Sequence, residues 1–106
     1  MNDLSALPAA KLLVSSLVKL EQKNEPVELR RGMAILLQDG YAAGTVAALA
    51  LDRYRHEVTH ILLGHVPPTS DYHLIPLPLI ERLEGETVYL RASAADIEKL
   101  PTHQSN

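Results

Sequence analysis

From Val27 onward glycines and prolines, together with the polar stretch Asp52 to Arg55, cut the chain into short runs, and that punctuation constrains its fold more than any other feature. Asp39-Gly40, Gly44, Gly64, Pro67-Pro68, Pro76, Pro78 and Gly85 cut the apolar residues into short runs. Glycine supplies turn conformations, and proline lacks the amide hydrogen that a helix interior or a central strand needs. The runs between them are Met33 to Leu37, Thr45 to Leu51, His56 to Leu63, Leu74-Ile75 and Thr87 to Arg91. Val58, Thr59 and Ile61 add the β-branched stiffness that strands favour. Val88 and Leu90 alternate with Thr87, Tyr89 and Arg91, which predicts one inward and one outward face. Pro76 and Pro78 confine the residues after them to an edge or a turn. Ser93 suits the N-cap of a short closing helix, Ala94 to Lys99, before Pro101. The expectation is a mainly β fold, a small barrel or sandwich of about five to six short strands with a short C-terminal helix.

The first 29 residues obey a different grammar. On a helical wheel Leu13, Val14, Leu17, Val18, Leu20 and Glu21 share one side, while Lys11, Ser15, Ser16, Lys19, Gln22 and Lys23 take the other, and only Leu12 is misplaced. A strand template also fits. Leu12, Val14, Val18 and Leu20 then alternate with Lys11, Ser15, Lys19 and Glu21, and Ser16 and Leu17 break the pattern. Pro8, suited to the first helical position, and the two alanines after it tip the reading toward a helix over 8–22. Pro26 ends that segment by disfavouring helix at Glu25. The chain therefore divides into an N-terminal helical extension over 1–29, a β domain over 30–101 and a polar, mobile tail over 102–106.

At 106 residues the chain has room for one modest core. Its aromatic residues are four tyrosines, with no Phe or Trp, so that core must be built from Leu, Val, Ile and Ala. The absence of cysteine removes disulfides, thiolate metal sites and a thiol nucleophile, and favours a cytoplasmic setting. No apolar run approaches the ~20 residues of a membrane span. Leu12 to Leu20 is interrupted by Ser15, Ser16 and Lys19 and is not followed by a signal-peptide cleavage pattern. With a net charge of −3 and basic residues in twos at most, direct nucleic-acid binding is not expected.

The stretch from Arg31 to Pro101 resembles the PRC-barrel superfamily. The resemblance is carried by Gly32-Met33-Ala34-Ile35, Asp39-Gly40, Gly44-Thr45-Val46 and Leu51-Asp52. It continues through Val58-Thr59-His60-Ile61-Leu62, Ile75-Pro76-Leu77, Ile80, Val88-Tyr89-Leu90-Arg91 and Ile97 to Pro101. The loop after Asp52 lacks the Pro and Gly usual in that family, and the extension before Leu29 lies outside the pattern. That superfamily includes the cytoplasmic domain of the reaction-centre H subunit and the C-terminal domain of a bacterial ribosome maturation factor, both binding modules. The resemblance thus implies a small PRC-type β-barrel that contacts proteins, and supplies no catalytic residues.

His56-Glu57-Val58-Thr59-His60 matches the H-E-x-x-H zinc-protease signature. That chemistry needs a helix, which brings residues four apart onto one face around one metal. On a strand the same residues stand roughly 13 Å apart, too far to share an ion bound at about 2 Å. The β-formers Val58, Thr59 and Ile61 argue for the strand, so no metal, cofactor or catalytic residue is assigned. His65, His73 and His103 fall in or beside loops, and Glu81, Glu84, Glu86, Asp96 and Glu98 read as solvated surface.

These features point to a non-catalytic interaction or scaffold module with a protein partner, and self-association is an open alternative. The contact residues expected are Tyr41, Arg53, Tyr54, Arg55, Pro67, Pro68 and Tyr72, because Tyr and Arg are enriched in interface hot spots. The alanines Ala42, Ala43, Ala47, Ala48 and Ala50 predict a sheet face that another element approaches closely, the N-terminal helix being the nearest. Two other readings compete: an RNA-processing or ribosome-assembly accessory, and a small-ligand or metal-binding barrel.

Overall fold

A computed structural model of the chain describes residues 10–13, 15–19, 26–65 and 71–104. Its strands are β1 (Ala10–Leu13), β2 (Ser15–Lys19), β3 (Pro26–Arg30), β4 (Ala34–Leu36), β5 (Ala42–Asp52) and β6 (Glu57–Gly64). They continue as β7 (Asp71–Pro76), β8 (Ile80–Glu84), β9 (Thr87–Leu90) and β10 (Thr102–Gln104), with one helix, α1 (Ala94–Glu98), before β10. The protein is mainly β, as its turn chemistry implies.

The eleven residues of β5 form the spine. Along one edge β5 pairs with β6 from Thr45 to Asp52. Two separate pieces of chain share the other edge. β1 covers Leu49 to Asp52, with Leu12 opposite Ala50 and Leu13 opposite Leu49. β4 covers Ala42 to Thr45. Gly32 and Met33 extend that side, Gly32 N–H donating to Val46 O (2.8 Å) and Val46 N–H to Met33 O (2.9 Å). β1 and β4 thus run in line along one edge, and the β2–β3 hairpin is inserted between them.

The main sheet has the order β10-β7-β6-β5-β4-β9-β8. All its pairings are antiparallel except β4 with β9. β7 and β8 lie near opposite ends of this path, yet only the 3-10 turn Leu77–Leu79 joins them. Three residues span about 10 Å, so the sheet curls until its two flanks meet at that corner. Arg91 N–H donates to Leu79 O (2.9 Å) and pins the junction. Register shifts at Ile35/Leu36, Val46/Ala48, Ala50/Leu51 and Ile80/Arg82 supply the bending. Among the described residues no ladder joins the two ends of the path, so the curled sheet is not a hydrogen-bonded closed barrel.

Inside the curl, Leu29, Met33, Ile35, Val46, Leu49, Ile61, Leu63, Ile75, Val88 and Leu90 form the core. Among the described residues no polar or charged residue is buried. On the opposite side of β5–β7, Ala50, Leu62 and Leu74 form a smaller cluster, against which Ala47, Ala48 and Tyr72 pack. The expected alternation in β9 holds, with Val88 and Leu90 buried and Arg91 exposed. β8, after the two prolines, is an edge strand.

Two expectations are corrected. The segment read as a helix over 8–22 is β1 and β2 wherever it is described. An isolated helix of about 15 residues is marginal in water, whereas β1 satisfies the backbone groups of β5 at Leu49 to Asp52 that β4 is too short to reach. Within the described part of the extension over 1–29, Val18 and Leu29 belong to the same core as Ile61. Finally, Thr102–Gln104, expected in a mobile tail, pairs with Asp71 to His73 of β7.

Candidate docking surface

The β5–β6 turn is built around Asp52. Its Oδ1 accepts hydrogen bonds from the Tyr54 N–H (2.8 Å) and the Arg55 N–H (3.3 Å). Its backbone carbonyl accepts from the His56 N–H (2.7 Å). His56 closes the turn with φ 58°, a left-handed conformation that His adopts more readily than most residues. The Asp52 carboxylate is held below its ordinary pKa, chiefly by the Tyr54 N–H, with Arg55 adding to it through its N–H and guanidinium. Arg55 Nε lies 3.4 Å from Asp52 Oδ2 and 3.9 Å from Glu57 Oε1. A turn fixed at this many points holds Tyr54 outward, 78% exposed.

Next to this turn lies the β2–β3 hairpin. Val18 pairs with Val27 and Ser16 with Leu29, so these four side chains share the face turned to the core. Leu17 therefore points the other way, opposite Glu28, and is 71% exposed. A shallow cleft lined by Ser16, Leu17, Val18, His56, Glu57 and Val58 separates hairpin from turn. The exposed Leu17 thus lines one wall of this cleft, and the opposite wall begins at His56, two residues after the exposed Tyr54.

Of the residues expected to make contacts, Arg53, Tyr54 and Arg55 lie together on this turn. Tyr41 is equally exposed but precedes β5, whereas Tyr54 comes after it, so a strand of roughly 35 Å separates them. Tyr72 is half-buried, its ring edge lying over Gly64, 3.6 Å from where a Cβ would stand. It covers a strand glycine and joins the smaller apolar cluster. Pro67 and Pro68 lie outside the described residues. Leu17 is absent from the expected contacts because the helical template places it on the apolar face. The strand template marks it, since Leu17 is where that alternation fails.

The H-E-x-x-H residues do not meet. His56 ends the turn and His60 lies within β6, as the strand reading requires. His60 Nδ1 is 2.8 Å from Thr59 Oγ1, and burial lowers its pKa. Among the described residues no three His, Cys, Asp or Glu side chains converge as a metal site, and no helix is long and apolar enough to cross a membrane. A cleft beside His65 encloses about 240 Å³, below the ~300 Å³ from which small-molecule sites usually start. The chain matches no known protein family and no curated protein.

Basic side chains are interleaved with acids. Arg30 pairs with Glu28 and Glu86, Arg55 with Asp52 and Glu57, and Arg82 with Glu81 and Glu84. Arg82 also lies over the Tyr89 ring at 4.0 Å. Glu81, Arg82 and Glu84 thus place charges along the β8 edge strand, a pattern that disfavours pairing with other sheets.

Proposed function

We propose that this chain is a non-catalytic protein-docking module of the PRC-barrel type, with Tyr54 and Leu17 as its contact residues. The observation that carries this reading is the outward presentation of Tyr54 on the Asp52-anchored turn, with the exposed Leu17 lining a cleft that the same turn borders at His56. Ordering a flexible side chain on binding costs about 0.5–1.5 kcal/mol, and a turn already fixed reduces that cost. Tyr and Arg also dominate interface hot spots.

The curled sheet and the order of its turns are compatible with the superfamily that the sequence resembles, and the lack of cysteine fits a cytoplasmic setting. The ion-paired arginines favour a protein partner over RNA, whose binders concentrate unneutralised cations on one face.

A photo-crosslinking residue placed at position 54 tests the surface in living cells. Crosslinks from position 54 to one protein, without the same product from position 41, are expected. Equal crosslinking from both ends of β5 would contradict the assignment. A product joining two copies of the chain would identify the partner as the protein itself.

A further inference from the structure

At the other end of the sheet, His65 and His73 face each other. His65 Nε2 lies 2.9 Å from His73 Nδ1, and the rings meet edge to face at 79°, with centroids 5.0 Å apart. An N–H···N bond needs one ring as donor and the other as acceptor. When both rings are neutral, the bridge holds one proton. A first added proton goes to the far nitrogen of the donor ring, leaving the bridge intact and charge-assisted. A second must go to the bridging nitrogen of the acceptor ring, and two N–H donors then oppose each other. The pair therefore has a closed form with up to one net charge and an open form with two.

We propose that the His65–His73 pair is a pH-sensitive clasp, holding the end of β6 to β7 while one bridging nitrogen is unprotonated and releasing it when both rings are charged. Its surroundings suit that role. His65 lines a cleft whose other walls are the apolar Leu37, Ala42, Leu63, Ala94 and Ile97 and the carboxylate of Glu98. Two carboxylates favour the charged form of His73, Asp71 on β7 and Glu98 on α1. From β10, uncharged Thr102 stands opposite His73, and His103 is paired with Tyr72 on the other face. The pKa of His73 is lowered, first by burial and then by His65, with Glu98 and Asp71 only partly offsetting them.

The sign comes from that direction. A histidine whose folded pKa is depressed contributes stability that is present above its unfolded value of about 6.5 and lost as pH falls toward the folded one. His60 shares that direction through burial alone, so the clasp must be read at its own rings.

The experiment is an imidazole NMR titration of the full chain from pH 8 to 4.5. Wild type should titrate the pair in two steps separated by about one pH unit or more. H65Q, whose amide replaces the Nε2 position, should raise the His73 step by removing the neighbouring charge. E98Q, an exposed change that leaves the pair in place, should lower it. Two independent titrations at ordinary values in wild type would overturn the proposal, as would a His73 step unmoved in H65Q or in E98Q.

Discussion

Gly44 faces Gly64 across the β5–β6 ladder so closely that a Cβ on Gly44 would lie 2.1 Å from the Gly64 carbonyl oxygen. Gly44 also has φ 152°, a conformation that L side chains rarely adopt. The close approach lies beside the register shift of β4 against β5, where the sheet bends toward its core. Gly44→Ala must move backbone atoms and accept strain, and should cost about 3 kcal/mol. A Cβ at Gly64 would meet the Ala47 Cβ at 3.4 Å, the Tyr72 ring at 3.6 Å and the Thr45 carbonyl oxygen at 3.7 Å, so Gly64→Ala should cost much less. Chemical denaturation of both variants tests the asymmetry.

The hairpin gives a second test, because Leu29 is fully buried in the core shared by Leu49 and Ile61. Leu29→Ala should therefore cost about 2–5 kcal/mol, in the range expected for Leu49→Ala. A hairpin that merely hung from the sheet would lose far less. Urea midpoints at unchanged slope would report the comparison directly.

His56 holds its left-handed conformation without being glycine. His56→Gly should be neutral or stabilising by up to about 1 kcal/mol, since glycine relieves the strain but is looser when unfolded. His56→Val should destabilise by about 1–2 kcal/mol, because a β-branched residue fits that conformation worst. Thermal unfolding of the two variants measures the sign. Asp52→Ala, which removes the acceptor for Tyr54 and Arg55, should leave the turn less ordered and accelerate hydrogen exchange at both amides.

Where local chemistry decides the outcome, the sequence is legible. Asp39-Gly40 and Arg53 to Arg55 lie at turns, and Thr87 to Leu90 forms a strand with the expected faces. Ser93 caps α1 by accepting from the Asp96 N–H (3.2 Å), and Asp96 returns the bond to the Ser93 N–H (3.0 Å). The N-terminal segment is not legible in this way, because Lys11 to Lys19 fits both periods. The strand is selected by an open stretch of edge about 40 residues away, on β5 beyond the reach of β4. β10 is likewise decided by a distant partner, β7, rather than by its own polar residues. The proposed contact surface is half legible. Tyr54 and its arginines stand out by composition, but Leu17 emerges only once β2 is a strand. The separation of Tyr41 from Tyr54 rests on the unbroken length of β5.

If Tyr54 and Leu17 together form a docking surface, removing both side chains must release the partner while removing a distant tyrosine must not. Affinity capture from native lysate at low and high salt decides this, comparing wild type with L17S/Y54S and with Y41S. One stoichiometric partner is expected for wild type and Y41S at both salts, weakened about 30-fold or more in L17S/Y54S, as loss of a hot spot of about 2 kcal/mol requires. Equal capture by L17S/Y54S, with that variant folded, would contradict the docking surface.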